Sequence, residues 1–476
     1  MSAPERAEMA ESTTLSSYAD PYKLRKENIL EPPTSWRGAL KFLGPGMITS
    51  AAVVGSGELI TATTLGAKVG FILFWLVFVS TFVKVFVQIE LARFSISTGK
   101  PAITGFDETS PKIAGHGWMA WLVLSMFIQF VIGQAGVLSA AAFAFSSLIP
   151  IVGDPLSFTS VGVWVFILAA VAIGVHWFNR YSMLEKISTV LVLIVTFFAV
   201  LAVFLLLGTE FSWTVSDIAD GMRFQIGAGA AGIALAMFGM TGVGAGEVTT
   251  YTYWVVEKGY AAWSGPNDGS EAWVNRARGW IKVMKLDAWV SWFVYTISTV
   301  AFYVLGAAVL HPQSLEPSGN EVMTTIASIF DNIFGQIGGT LFLIGAGVAL
   351  FKTILANVPG FARLVTNTLS VFGAFDWKDS SKRDAWMRAT MVILPLAWAI
   401  LGTVAKSPLA LVVLAGILNA IFLIGVAICT LQLQKNQTDP KVKDGSVFQV
   451  FLIISAIAIF AVGVYSLWGQ IQGLIG

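Results

Sequence analysis

Cysteine and charge are both scarce in this chain, and each shortage excludes a class of protein. Cys429 is the only cysteine, so a disulfide within the chain, a CxxC redox motif and a cysteine zinc site are excluded. Charged residues make up 12% of the sequence, against about a quarter in soluble domains. The net charge of +1 favours no polyanionic partner such as nucleic acid. No Walker motif is present, so we expect no direct use of ATP, and we also expect no enzymatic activity and no cofactor.

Long apolar segments dominate the composition. Hydrophobic residues make up 56% of the chain, and the mean hydropathy is +0.75, which predicts an all-α polytopic membrane protein in contact with the lipid bilayer. A membrane-spanning helix needs roughly 20 mostly apolar residues, and about eleven segments meet that criterion. They cover approximately residues 43–71, 70–95, 118–148, 161–177, 184–207, 226–257, 286–310, 337–356, 387–403, 409–431 and 448–468.

Lysine and arginine are distributed unevenly between the two sets of connecting loops. The amino-terminal tail and the even-numbered connections hold most of them, for example Arg276 and Lys382, whereas the odd-numbered connections hold few. Because positively charged loops stay in the cytoplasm, we expect a cytoplasmic amino terminus and, after eleven crossings, an external carboxyl terminus at the plasma membrane. The predicted parts are a tail at 1–36, a first repeat at 37–207, a second repeat at 208–434, and a last helix with the external terminus at 435–476. We expect the tail to be disordered apart from a short helix.

Two short glycine motifs interrupt apolar segments at corresponding positions. They read Gly55-Ser56-Gly57-Glu58 in the first segment and Gly244-Ala245-Gly246-Glu247 in the sixth. A glycine pair can break a helix, and a carboxylate is costly to bury in a membrane unless something uses it. Close helix packing through small residues is the alternative for one copy alone.

Interrupted helices at corresponding positions of two halves indicate the midplane binding site of a secondary transporter. Five helices per repeat is an odd number, so the halves have opposite orientation. The pattern therefore predicts a five-plus-five inverted repeat with broken helices 1 and 6.

The first segment carries a further pattern of small residues. Gly44-Pro45-Gly46 opens it, Ser50 and Ala51 follow, and Gly66-Ala67 and Gly70-Phe71 close it. This pattern resembles the first-helix signature of the Nramp divalent-metal transporters. The resemblance implies a LeuT-like fold and proton-coupled uptake of a divalent metal.

The sequence departs from the Nramp pattern at the two motifs themselves. The family has Asp-Pro-Gly-Asn where this chain has the first glycine motif, and Met-Pro-His-Asn where it has the second. Gln134 stands near a position where the family has a glutamate. The resemblance therefore implies the fold, and the family's metal ligands are replaced.

The chemistry of the two breaks favours a cation. A broken helix leaves carbonyl groups unpaired before the break and N–H groups unpaired after it. We predict that the carbonyls before Gly55 and Gly244, together with Glu58 and Glu247, bind a small cation. Oxygen ligands without sulfur or imidazole favour hard ions such as Mg²⁺, Mn²⁺ or Ca²⁺. Helix capping by the two glutamates is one alternative, and an anion bound by the N–H groups of the glycines is another.

Four other polar residues lie inside the apolar segments. Asn419 is a candidate ligand or an interhelical hydrogen-bond partner. We expect Lys352 either to extend its ammonium group to the membrane surface or to face the first break in place of a coupling cation. Gln129 and Gln134 are expected to join helices by hydrogen bonds.

The sequence as a whole predicts a secondary active transporter of a small cation, a hard divalent metal ion resembling Mg²⁺ or Mn²⁺, that works by alternating access. A transporter of the same fold for an organic ion or an anion is one alternative, and a receptor or scaffold that no longer transports is another. The predicted metal ligands are Glu58 and Glu247. The predicted substrate-binding residues are Gly55, Gly57, Glu58, Thr61, Gly244, Gly246, Glu247, Thr250 and Asn419.

Overall fold

A computed structural model describes residues 20–177, 181–225, 230–405 and 407–475 of this protein. The tail before Asp20, the predicted start of the sixth segment at 226, and Lys406 lie outside the described residues. Within those ranges, ten helices are long and apolar enough to cross a membrane, or eleven if the bent pair at the first break is one span. The prediction of an all-α protein with about eleven membrane helices is therefore confirmed.

Thirteen helices, labelled here in chain order, form the membrane-spanning part of the described residues. A π-helical segment, Ser56–Ala62, lies between the first two. The helices are α1 (Pro45–Val53), α2 (Thr63–Val69), α3 (Phe74–Thr98), α4 (Trp118–Leu148), α5 (Phe158–His176), α6 (Tyr181–Leu205), α7 (Ala231–Met240), α8 (Ala245–Lys258), α9 (Glu271–Leu305), α10 (Gln336–Val371), α11 (Ser380–Val404), α12 (Pro408–Asn436) and α13 (Ser446–Ile475).

Shorter elements connect these helices. One antiparallel pair of two-residue strands, Lys112–Ile113 and His116–Gly117, precedes α4. The short helices are Lys26–Asn28, Trp36–Leu40, Ala102–Asp107, Val215–Gly221, Tyr260–Ser264, Gly306–Leu310, Gly319–Glu321, Val322–Phe334 and Pro440–Val442.

Two helices extend well beyond their predicted ends. Helix α9 begins at Glu271 and not at 286, and α10 continues to Val371, so its predicted end at 356 is wrong. Pro359 lies inside α10 and cannot donate a hydrogen bond to the carbonyl of Leu355. The extra turns carry polar residues, which a search for apolar segments does not detect.

The described part of the amino-terminal tail packs against the helices. Asp20 forms an ion pair with Arg383 at 2.8 Å, and the Tyr22 hydroxyl donates to Glu257 at 2.7 Å. The indole N–H of Trp280 donates to the carbonyl of Leu30 at 2.9 Å. The expectation of disorder is therefore wrong for residues 20–35, because buried polar groups of the helices hold the tail.

The start of α1 is fixed by a carboxylate on α9. Asp287 accepts hydrogen bonds from the backbone N–H groups of Gly44 at 2.8 Å and Gly46 at 2.5 Å. It also accepts from the hydroxyl of Tyr251 on α8 at 2.9 Å. Asp287 thus holds the start of α1 and the helix α8 together. Because α1 leads into the first break and α8 follows the second, this one buried acid helps to position both breaks.

Candidate functional site

The first break separates α1 from the π-helical segment and α2. Val54 has an extended backbone, and the chain bends by 42° across the break. A Cβ atom added at Gly57 would overlap the backbone carbonyl of Met240, the last residue of α7. Glycine is therefore required here, because the two breaks lie directly against each other.

The second break spans residues 241–244, between α7 and α8. Gly242 has a φ of +61°, a conformation that favours glycine. Asn419 on α12 bridges the break, because its side chain accepts from the N–H of Ala245 at 2.8 Å and donates to the carbonyl of Gly239 at 2.9 Å. Asn419 therefore forms interhelical hydrogen bonds, which was one of the two roles expected for it. Both predicted breaks are confirmed.

The two glutamates cap the helices that follow the breaks, and Glu58 also links one break to the other. Glu58 accepts from the N–H of Gly55 at 3.3 Å, from the N–H of Gly242 at 3.2 Å and from the hydroxyl of Thr299 at 3.3 Å. Its side chain is completely buried. Because it accepts hydrogen bonds from both breaks, the Glu58 carboxylate holds the first break against the second.

Glu247 has a different environment from Glu58. It accepts from the N–H of Gly244 at 3.2 Å, in the same capping arrangement. Unlike Glu58, it keeps part of its surface accessible, because it lines a small internal cavity. The structure therefore separates two acids that the sequence treats as equivalent.

The carbonyl ends before both breaks are occupied by lysine ammonium groups. Lys352 on α10 donates to the carbonyl of Ala51 at 2.8 Å and also to the carbonyl of Val54. Lys84 on α3 donates to the carbonyl of Thr241 at 2.7 Å and also to that of Phe238. The first expectation for Lys352, that it reaches the membrane surface, is wrong because its side chain is 2% exposed and faces the first break.

Sequence reasoning missed Lys84, although a signal was available. The residue lies in the middle of α3, at a depth where a charge is costly without a partner. A lysine inside an apolar segment predicts a buried hydrogen-bond acceptor nearby, and the unpaired carbonyls of a broken helix are such acceptors.

The cavity lies between the two breaks and holds about one water-sized particle. The amide oxygens of Gln129 and Gln134 on α4 are buried and have no hydrogen-bond partner among the described residues. The expectation that these glutamines join helices is therefore wrong for their oxygens. Met240 was also missed, since no sulfur was expected at the breaks. The lining residues are Ala52, Val53, Gln129, Phe130, Gly133, Gln134, Met240, Glu247, Phe361 and Asn419.

The other predicted site residues support the backbone near the cavity. Thr61 donates to the carbonyl of Gly57 at 2.5 Å, and Thr250 to that of Glu247 at 3.3 Å. A Cβ atom at Gly246 would lie 2.7 Å from the ring of Phe130. Among the residues that the structure describes, no three His, Cys, Asp or Glu side chains cluster as a metal centre. A cation at this cavity would therefore meet one carboxylate and several neutral oxygens.

Two broken helices, α1–α2 and α7–α8, have their breaks against each other and beside one cavity, and they define a membrane protein of the LeuT-like class, the fold of many secondary transporters. The sequence model of the family described as natural resistance-associated macrophage protein-like, Nramp, matches residues 46–469. The chain therefore belongs to the Nramp family, as its first-helix pattern predicts.

Individual relatives agree with this assignment to different extents. The metal transporter nramp1 homolog of Dictyostelium discoideum is 31% identical over 123 residues, which are 24% of this chain and 23% of the relative. An uncharacterized protein of Pasteurella multocida is 22% identical over 369 residues, which are 76% of this chain and 78% of the relative. The crystal structure of a variant of the Eremococcus coleocola manganese transporter has a TM-score of 0.66 at 13% identity, covering 95% of this chain and 92% of that one. This likeness shows the fold.

Proposed function

We propose that this protein is a secondary active transporter of a divalent cation, which binds in the cavity between the two breaks and crosses by alternating access. The observation that carries the proposal is the lining of the cavity. It combines the carboxylate of Glu247 with the side chains of Gln129 and Gln134, whose buried amide oxygens lack hydrogen-bond partners in the described part of the chain. Unpaired oxygens beside a carboxylate suit a cation, because burying them empty is costly.

Glu247 is the anionic ligand in this proposal, and Glu58 is a structural link between the breaks. Neutral oxygens and bound water complete the coordination of the ion. Affinity for hard cations rises with the number of charged ligands, so a site with a single carboxylate should bind its ion weakly. The ion, for example Mg²⁺ or Mn²⁺, should keep part of its hydration shell. Met240 also lines the cavity, and its thioether would be a softer ligand if it turned toward the ion.

Membership of the Nramp family and the likeness to a manganese transporter support a divalent cation as the substrate. The arrangement in the membrane belongs to the proposal as well. We place the protein in the plasma membrane with a cytoplasmic amino terminus and an external carboxyl terminus, because lysine and arginine concentrate in the tail and the even-numbered loops.

Purified protein in liposomes, offered Mn²⁺, Mg²⁺, Ca²⁺ and a panel of small organic ions, tests the proposal. We expect saturable uptake of at least one divalent cation above that of empty liposomes. Uptake of only an organic ion or an anion would support the second class of substrate. Binding without uptake of any solute would support a receptor or scaffold.

A pair of glutamine variants tests the location of the site. Gln134→Leu removes an unpaired oxygen from the cavity, whereas Gln88→Leu removes an equally buried and unpaired amide on α3 that is absent from the lining. We expect weaker cation binding in the first variant and unchanged binding in the second. Equal losses in both variants would place the site elsewhere.

A further inference from the structure

The end of each first half-helix is a place where a transporter of this fold can hold a cation. Unpaired carbonyls there carry partial negative charge, and the helix dipole adds to it. Those carbonyls belong to Ala51 of α1 and Val54 just after it, and to Phe238 of α7 and Thr241 just after it. All four accept hydrogen bonds from an ammonium group.

Three oxygen atoms lie together at the end of α1 where Lys352 binds. Besides the two carbonyls, the hydroxyl of Thr353 lies 3.4 Å from the oxygen of Ala51 and 3.3 Å from that of Val54. Carbonyl and hydroxyl oxygens of this kind are also ligands for small inorganic cations. The ammonium of Lys352 therefore stands where such an ion could be bound.

The lysines also lie near the two glutamates of the breaks. Lys352 interacts electrostatically with Glu58, and Lys84 with both Glu58 and Glu247. Two lysines and two glutamates thus lie beside the breaks. An additional monovalent cation at either carbonyl end would meet an ammonium group already in place.

We infer that Lys352 and Lys84 are resident cations, which replace an inorganic ion at the carbonyl ends of the two broken helices. Transport of the divalent cation that binds in the cavity should then require no Na⁺ or K⁺ as a coupling ion. This consequence rests on the proposed function, whereas the occupancy of the carbonyl ends by the lysines does not.

Chemical rescue tests the occupancy without any transport measurement. Lys352→Ala removes the equivalent of n-propylammonium, so that ion can refill the space. We expect the purified variant to melt at a lower temperature than the parent and n-propylammonium to raise that temperature. We expect uncharged n-propanol to have a smaller effect, and Lys186→Ala, at an exposed lysine on α6, to melt like the parent.

Two results would overturn the inference. One is a Lys352→Ala variant that melts no lower than the parent. The other is a variant that responds to n-propylammonium no better than to n-propanol. The same measurement on Lys84→Ala tests the second break separately.

A second pair of variants decides the matter if Lys352→Ala does not fold. Lys352→Arg keeps the positive charge, and Lys352→Met keeps the approximate length without it. The inference requires the arginine variant to fold and the methionine variant to be unfolded or less stable than the arginine variant. Any other order counts against it.

An uptake measurement tests the consequence for coupling. We expect divalent cation uptake by the parent protein to stay the same when choline replaces all Na⁺ and K⁺. A loss of uptake in choline would contradict the absence of a co-ion. If no divalent cation is taken up in any medium, the proposed function fails, while the melting experiments still decide whether the lysines act as resident cations.

Discussion

Replacing Glu247 by glutamine removes a negative charge from the cavity and leaves the size of the side chain almost unchanged. The new amide oxygen can still accept the N–H of Gly244, so the cap on α8 is weakened and not lost. A cap carboxylate contributes about 0.3–1 kcal/mol through the helix dipole. The expected fall in stability is therefore at most about 1 kcal/mol, and relief from burying a charge offsets part of it.

The expected effect of this substitution on cation binding is larger. An interaction with a charged group contributes about 1.5–3 kcal/mol. Losing it should raise the dissociation constant by roughly 10- to 150-fold, since 1.4 kcal/mol corresponds to tenfold. Isothermal titration of the purified variant with Mn²⁺ measures the dissociation constant, and thermal unfolding measures the stability.

Glu58→Gln is the matched control for Glu247→Gln. It changes the same residue type in the same capping arrangement, but Glu58 is completely buried and absent from the cavity lining. We expect Glu58→Gln to lower stability and to leave the dissociation constant within a few fold. Equal loss of binding in both variants would refute the reasoning from the cavity, and would favour the symmetric pair of ligands that the sequence predicts.

Three further predictions follow from other parts of the structure. A reporter fused after Gly476 should be external and one in the loop 258–282 cytoplasmic, and finding both on one side would contradict the inverted repeat. Cd²⁺ should bind with an affinity similar to that of Mn²⁺, and any higher affinity for Cd²⁺ should disappear in Met240→Leu. A strong preference for Cd²⁺ in that variant would contradict the proposed lining of the cavity. Asp444 lies outside the membrane spans, where hydrogen bonds from Arg93 and Lys285 outweigh partial burial and hold its pKa below the usual value. Its stabilisation should be complete above its ordinary pKa of about 3.9 and fall as the pH drops through the lower folded pKa, whereas Asp444→Asn should show no such contribution in unfolding measured against pH.

Much of the fold could be predicted because hydrophobic length and glycine motifs are local signals. The segment 118–148 agrees with α4, the first break lies at Gly55, and the second break ends at Gly244, whereas Gly246 lies inside α8. The ends of α9 and α10 could not be predicted from apolar length, because their outer turns are stabilised by polar contacts such as the 2.6 Å ion pair of Arg363 with Glu257.

The candidate site was less accessible to sequence reasoning because its parts come from distant segments. The motifs identify Glu58 and Glu247 but cannot show that only the second one reaches a cavity. That difference depends on Gly242 and Thr299, which lie far from Glu58 in sequence and supply two of its three donors. The role of Lys84 likewise depends on α3 packing beside the end of α7, which no local pattern reveals.

The four charged side chains at the breaks also determine how the membrane voltage acts on the protein. With both acids ionised and both lysines protonated, the charges of Glu58, Glu247, Lys84 and Lys352 cancel. In that charge state, reorienting the empty site moves little net charge through the electric field, and its rate should depend weakly on voltage. A bound divalent ion adds two charges, each worth about 2.3 kcal/mol per 100 mV across the full membrane. A negative interior should then accelerate inward movement of the loaded protein and leave the return of the empty one almost unaffected.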